Sequence, residues 1–161
     1  MQGDLDDFMK YLGLFFFYFS KRKGGLKLSV IVSVDPGREK CGIAVVNSSG
    51  SILKRIVVST NDVVETLSEF IKKYSAEKIL LGSGTFSKTV KKMIIESLPD
   101  ISIDVIDETH STEIARKLYF KEYPPKGIFK IIPLGLQIPP VPYDDFAAVV
   151  LAKKYLNLSV I

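Results

Sequence analysis

The stretch "SVIVSVDPGREKCGIAVVNSSGSILKRIVVS", residues 29–59, decides how this chain folds. It contains three apolar runs of strand length, at 30–34, 42–47 and 52–59. The turn residues Asp-Pro-Gly and Asn-Ser-Ser-Gly separate these runs, and connections of this kind join neighbouring strands as hairpins. Because strands joined by hairpins are antiparallel, the stretch predicts a three-stranded antiparallel meander.

Strands and helices alternate in the middle of the chain. Asp62 and Glu65 have the spacing of a capping box, which predicts a helix with an apolar stripe behind it. Residues 78–84, "KILLGSG", predict a short buried strand that ends in glycines, and residues 101–107 predict a further strand. Since strands joined by helices tend to be parallel, the chain is predicted to be an α/β protein with a mixed five-stranded sheet and helices on both faces.

The last third of the chain is predicted to hold two helices around an extended segment. Ser111 or Thr112 opens the first of these helices, and residues 144–156, "DDFAAVVLAKKYL", form the second, capped by Asp144 or Tyr143. Residues 123–143 contain six prolines. Proline removes a hydrogen-bond donor and restricts the residue before it, so this segment is expected to stay extended.

Composition excludes several classes of protein. The 161 residues are 47% hydrophobic and 25% charged, which is typical of a single globular domain. The net charge of +4 is compatible with a polyanionic partner without requiring one. Cys41 is the only cysteine and His110 the only histidine. This excludes a disulfide framework and a multi-histidine zinc site, and Cys41 is expected to be a buried, reduced thiol.

Residues 1–28 are predicted to be an N-terminal extension ahead of the domain at 29–161. The apolar run at 11–19 is too short to span a bilayer. Acidic residues before it and Lys-Arg-Lys after it do not fit a secretory signal. We therefore expect a cytoplasmic protein without stable membrane insertion. Apolar side chains recur at helical spacing and predict a docked amphipathic helix; a peripheral membrane contact and an over-extended start are the alternatives. These side chains are Phe8, Leu12, Phe15, Phe16 and Phe19.

Three acidic positions coincide with the ends of predicted elements. Asp35 ends the first strand, Asp107 and Glu108 end the last strand, and Asp144 and Asp145 begin the closing helix. Sites in open α/β sheets lie at the carboxyl ends of the strands, so acids from these three positions are expected to converge. Alternation along the last strand separates Asp107 from Glu108. Taken singly, such acids are more often turn residues or helix caps.

Convergent carboxylates are suited to a divalent metal ion. Mg²⁺ takes oxygen ligands and keeps several waters, so two or three carboxylates suffice. Two such ions can activate a water and stabilise the leaving oxygen of a phosphodiester. On this interpretation Asp35 is a metal ligand, and Arg38 and Lys40 on the adjacent turn meet phosphates. The helix lysines Lys88, Lys91 and Lys92 are further nucleic-acid-binding candidates, although such lysines usually form a solvated helix face.

Three segments of the sequence resemble the signature segments of YqgF-type (RuvC-like) nucleases of the ribonuclease H-like superfamily. They are "VDPGREKCGIAVV", "IDETHSTEIARKLYF" and "PPVPYDDFAAVVLAKKYL". The resemblance implies a ribonuclease H-like fold, a nuclease dependent on Mg²⁺ or Mn²⁺, and catalytic acids at Asp35, Glu108 and Asp144, with Asp145 as an additional metal ligand. Thr109 stands where the family often has arginine, and Leu81-Gly82-Ser83 stands where Gly-Leu-Pro is usual.

The resemblance further implies maturation of the 5′ end of precursor 16S ribosomal RNA. Holliday-junction cleavage is the alternative activity, and paired nicks would require a homodimer. A non-catalytic nucleic-acid-binding module of the same fold is a second alternative. A phosphotransferase of the actin and sugar-kinase type is a third, because its first hairpin also starts Asp-x-Gly, but it needs a second lobe for which 161 residues leave no room.

Overall fold

The structure, a computed structural model, describes residues 28–159. The predicted amphipathic helix of the N-terminal extension lies outside the described residues. Within residues 28–159 no helix is long and apolar enough to cross a bilayer.

The described residues form one mixed five-stranded sheet. Its strands are β1 (Val30–Pro36), β2 (Lys40–Asn47), β3 (Ile52–Ser59), β4 (Lys78–Gly82) and β5 (Ser102–Ile106). They lie in the order β3-β2-β1-β4-β5. β1 pairs antiparallel with β2, and β2 pairs antiparallel with β3, whereas β1, β4 and β5 are parallel to one another. The predicted meander and the predicted parallel strands are both confirmed, and β1 is central.

Helices cover both faces of this sheet, as predicted. They are α1 (Val63–Tyr74), α2 (Ser87–Ser97), α3 (Ser111–Glu122) and α4 (Asp144–Tyr155). One face packs against α1 and α2, with Leu67, Phe70, Val90 and Ile94 in the shared apolar cluster. The other face packs against α4, and α3 packs in turn on α4. The α/β class with a mixed five-stranded sheet, predicted from the sequence, is confirmed.

Two local predictions are wrong. Asp62 precedes α1, but its side chain makes no capping hydrogen bond. The chain forms a 3-10 turn over Thr60–Asp62 instead, and Ser59 Oγ accepts a hydrogen bond from the amide of Asn61. That turn supplies the entry to the helix, so the capping box does not form.

The proline-rich segment 123–143 is not wholly extended. It contains 3-10 turns over Gly127–Ile131 and Leu134–Leu136. Gln137 Nε2 donates hydrogen bonds to the carbonyl oxygens of Phe129, at 2.8 Å, and Ile132, at 2.6 Å. Proline prevents a long helix, but turns of three to five residues fit between the prolines.

Candidate metal site

Asp35 lies at the carboxyl end of the central strand. It is the last residue but one of β1 and pairs with Gly42 of β2. Its carboxyl group is half-buried, so its charge is only partly hydrated. Because β4 and β5 run parallel to β1, their carboxyl ends lie at the same edge of the sheet.

Glu108 reaches this edge from the loop that follows β5. Its carboxylate lies over the end of β4, where Gly82 and Gly84 leave room for it. A Cβ atom at Gly82 would overlap Glu108 Oε1, and one at Gly84 would lie 2.6 Å from Glu108 Oε2. The glycines that end the fourth strand therefore admit this side chain.

The carboxyl groups of Asp35 and Glu108 are neighbours. Burial raises the pKa of Asp35 to about 7, aided by the negative charges of Glu108 and Asp144 and by a hydrogen bond with Glu108. Glu108 Oε1 is buried and has no donor among residues 28–159. Two carboxyl groups can share a hydrogen bond only when one is protonated. The pair therefore either shares a proton or carries an uncompensated buried charge.

Asp144 reaches the same place from the first turn of α4. The small residues at this end of the sheet allow the helix to come close: a Cβ atom at Gly42 would overlap the backbone carbonyl group of Asp144. Further along, Ser33 Oγ donates a 2.6 Å hydrogen bond to the carbonyl oxygen of Ala148. Asp35 and Asp144 line a cleft of about 370 Å³, whose other walls come from Thr112, Ala147 and residues 139–143.

The structure separates Asp145 from Asp144. Arg55 of β3 holds the Asp145 carboxylate, with Nε 3.2 Å from Oδ2. The same guanidinium donates two hydrogen bonds to Glu122, at 2.6 and 2.9 Å, and lies 3.9 Å from the centre of the Phe146 ring. That Asp145 is an additional metal ligand stays a prediction, and in this structure its carboxylate is paired with Arg55 instead. No spacing or motif in the sequence singled out Arg55.

Asp107 is likewise separated from Glu108. Its carboxylate is exposed and accepts hydrogen bonds from the backbone N–H and the hydroxyl group of Thr109. These bonds hold the pKa of Asp107 below its ordinary value. The two acids are therefore separated as expected, but strand alternation is not the cause, because β5 ends at Ile106 before either of them.

The basic residues of the first hairpin follow Asp35 within five positions of the sequence. Arg38 and Lys40 are both exposed. The Arg38 guanidinium carbon lies 5.8 Å from the centre of the Phe86 ring, just before α2. The hairpin and the start of α2 therefore border the site together.

The three lysines of α2 differ in how far their side chains are exposed. Lys88 is exposed, and Lys91 is half-buried. Lys92 is exposed and lies 3.8 Å from Glu96 as an i,i+4 ion pair, the behaviour of a solvated helix face. Of the three, Lys88 is nearest in sequence to Phe86.

The acids fit a divalent cation by their chemistry. Within residues 28–159 no group of three or more acidic, histidine or cysteine side chains stands close enough to enclose a metal ion unaided. Asp35, Glu108 and Asp144 nonetheless interact electrostatically, and one buried carboxylate oxygen lacks a donor. A hard cation that keeps several waters would compensate this charge. We therefore take these three residues as the candidate metal ligands.

Comparison with known families identifies the chain's relatives. Residues 29–124 match the family described as the Tex protein YqgF-like domain, which is more than half of the chain. The chain belongs to this family, and the YqgF resemblance predicted from the sequence is confirmed. Asp35 and Glu108 lie inside the matched residues, and Asp144 lies beyond them. The family relation supports a nuclease-type protein. A comparison with curated proteins found no match.

Solved structures show more distant likenesses. RuvC from Thermus thermophilus is 13% identical with a TM-score of 0.48, over 76% of this chain and 90% of that one. A putative sugar kinase from Cytophaga hutchinsonii is 14% identical with a TM-score of 0.39, over 55% of this chain and 39% of that one. Likenesses at these values carry no argument about activity.

Asp35→Asn is expected to stabilise the protein above neutral pH when EDTA is present. Because the pKa of Asp35 is raised to about 7 in the folded state, folding binds a proton between about pH 4 and pH 7. Stability contributed by this group therefore falls as pH rises through that window. Thermal unfolding at pH 8 should give the variant a Tm about 10 °C above wild type, and the difference should vanish near pH 4.

Asp107→Asn is the matched control, since Asp107 is exposed and its pKa is lowered. It should show no gain in Tm at pH 8. A constant Tm difference for Asp35→Asn from pH 4 to pH 8 would contradict the assigned titration.

Gly82→Ala is expected to displace the Glu108 carboxylate without unfolding the protein. The added Cβ atom meets the far end of a flexible side chain rather than backbone, so Glu108 must rotate away. Binding of Mn²⁺, followed by electron paramagnetic resonance, should weaken about tenfold or more, roughly what the loss of one supporting contact at a metal site costs. Gly135→Ala is the control, because nothing lies within 4 Å of its Cβ position. Equal Mn²⁺ affinity in both variants would contradict the placement of Glu108.

Proposed function

We propose that this chain is a divalent-metal-dependent endonuclease that hydrolyses phosphodiester bonds in structured nucleic acid. The proposed substrate is precursor 16S ribosomal RNA, cut during maturation of its 5′ end. The proposed metal is Mg²⁺ or Mn²⁺, with Asp35, Glu108 and Asp144 as its ligands. The single reduced Cys41 is consistent with the cytoplasm as the proposed location.

One observation supports this proposal above the others. Three carboxylates from distant parts of the chain interact at the carboxyl end of the central strand, and one of their oxygens is buried without a donor among residues 28–159. Without a cation such an arrangement costs free energy. A stable fold that accepts this cost is typical of a functional site.

The residues divide the chemistry between them. A bound divalent cation supplies activation of a water molecule and stabilisation of the leaving oxygen. Asp35 and Glu108 provide half-buried carboxyl groups for the cation. Asp144 adds a third carboxylate in the first turn of α4, at the positive end of the helix dipole. Arg38 and Lys40 are exposed beside Asp35, where they are suited to neutralise the phosphates on either side of the scissile bond.

Two other functions remain as alternatives. A non-catalytic nucleic-acid-binding module would not need the acids, so the retained carboxylates favour the enzyme. A Holliday-junction resolvase would need two active centres to make paired nicks, and hence a homodimer. A single cut in a precursor RNA needs only one active centre, which is why we prefer RNA as the substrate.

Substitution of the acids tests the proposed activity. The assay incubates purified protein with 5′-extended 16S precursor fragments and with four-way DNA junctions, each with Mg²⁺, Mn²⁺ or EDTA. Asp35→Asn, Glu108→Gln and Asp144→Asn should each lower the cleavage rate by several orders of magnitude, because each removes a charged ligand. Asp145→Asn and Asp107→Asn should cost about tenfold or less, because their carboxylates are held by Arg55 and Thr109.

The outcomes separate the alternatives. Metal-dependent cutting of RNA but not of junctions supports the proposal, and paired nicks in junctions support a resolvase. Absence of cleavage by wild type on either substrate, with binding intact, would favour the non-catalytic module. A larger loss for Asp145→Asn than for Asp144→Asn would contradict the assigned ligands.

Removal of the two basic side chains on the hairpin should weaken binding without sequence preference. In the double variant Arg38→Gln/Lys40→Gln, the slope of log affinity against log salt concentration should fall by about one unit for each lost phosphate contact. Fluorescence anisotropy with single-stranded RNA measures this slope. Lys92→Gln is the control, because Lys92 pairs with Glu96. An unchanged slope in the double variant would mean that the hairpin does not contact the phosphates.

A further inference from the structure

The segment between α3 and α4 exposes an unusual amount of apolar side chain. Ile128, Ile131, Leu136 and Ile138 are 74%, 85%, 77% and 83% exposed. Five further large apolar side chains of this segment are also exposed: Tyr123, Phe129, Ile132, Leu134 and Val141. We call these nine side chains the 123–141 surface. Soluble monomers rarely leave such a continuous apolar surface uncovered unless it binds something.

The 123–141 surface includes a groove as well as projecting side chains. A cavity of about 400 Å³ lies between the end of α3 and the proline-rich segment, with Phe120, Tyr123, Phe129 and Ile138 among its lining residues. Lys126 and Lys130 are the only charged residues of 123–143. The 123–141 surface is therefore apolar with two lysines along its own segment, and Val141 at its end also lines the cleft of Asp35 and Asp144.

We propose that residues 8–19 of the same chain dock on the 123–141 surface. Their apolar side chains recur at helical spacing, so a helix over these residues would carry an apolar stripe on one face. Asp4, Asp6 and Asp7 immediately precede the stripe and complement Lys126 and Lys130 in charge. The complementary charge is confined to this acidic end, because Lys21, Arg22 and Lys23 follow the stripe at its other end. An apolar stripe that enters from its acidic end can bury the 123–141 surface and be buried by it.

The connection is as long as the sheet is deep. Residues 20–27 join the stripe to Leu28, where the described residues begin. Eight extended residues span about 26 Å, slightly more than the length of β1, which is about 23 Å for seven residues. Ile52, at the start of β3, and Glu122, at the end of α3, line one common cavity, so these two ends are close in space. A short tether also holds the stripe at an effective concentration of about millimolar.

The charge pattern disfavours a second copy as the occupant. In a symmetric dimer the same patch faces itself, so Lys126 and Lys130 of both copies would approach one another. Residues 123–143 contain no acidic side chain to compensate them. The acids that complement these lysines precede the apolar stripe instead.

Cross-linking in the full-length chain tests the proposal. Cys41 is fully buried and stays in place, and unsubstituted protein controls for its reactivity. Phe16→Cys is combined with Ile138→Cys or, as the control, with Ile95→Cys. Ile95 is half exposed on α2, across the sheet from α3 and α4. With a short bismaleimide the Ile138 pair should link within one chain at least about fivefold faster than the Ile95 pair, since docking raises the local concentration.

A second comparison keeps the cysteine pairs and changes the apolar stripe itself. Leu12→Asp/Phe15→Asp, in the stripe, should abolish the preference for position 138, whereas Phe17→Asp, outside the stripe, should leave it largely intact. Equal linking at positions 138 and 95 would overturn the proposal. Links between chains whose yield rises with protein concentration would identify a second copy as the occupant and overturn it too. Flotation of most of the full chain with phosphatidylcholine–phosphatidylglycerol vesicles would also overturn the proposal, because the apolar surfaces would then bind lipid rather than each other.

Discussion

The contact between the carboxyl groups of Asp35 and Glu108 is the constraint around which this structure is organised. Two like charges in a partly buried place are unfavourable, and Asp144 adds a third nearby. The protein can relieve the repulsion by keeping a proton on Asp35 or, on our proposal, by binding a divalent cation. Both responses depend on the same geometry, which links the stability of the metal-free protein to the proposed activity.

The fold holds the three acids in place mainly through small residues. Gly82 and Gly84 make room for the Glu108 carboxylate, and Gly42 allows the first turn of α4 to approach β2. The hydrogen bond from Ser33 to the backbone of Ala148 fixes α4 against the central strand. Arg55 completes the support, since it binds Asp145 on α4 and Glu122 on α3 at once. The site is therefore built by close packing of backbone as much as by the acids themselves.

Much of this architecture could be predicted because it follows from local patterns. Hairpin turns predict the antiparallel strands, and helical connections predict the parallel ones. Asp35 lies at the end of β1 and Glu108 just after the end of β5, which the sequence also indicated. The contacts of Arg55 could not be predicted, since they join residues 67 and 90 positions apart in an otherwise ordinary strand. The failed cap at Asp62 shows the limit of a spacing rule, because a preceding 3-10 turn supplied the helix entry instead. The turns within 123–143 depend on Gln137, whose two backbone contacts carry no sequence signature.

Anomalous diffraction from crystals soaked in Mn²⁺ tests the central claim most directly. The account predicts a manganese peak at the carboxyl end of β1, within ligand distance of carboxylate oxygens from Asp35, Glu108 and Asp144. The same peak should be missing from crystals of Asp35→Asn. A peak bound by Asp107 or Asp145 instead, or no peak near Asp35 at millimolar Mn²⁺, would contradict the account.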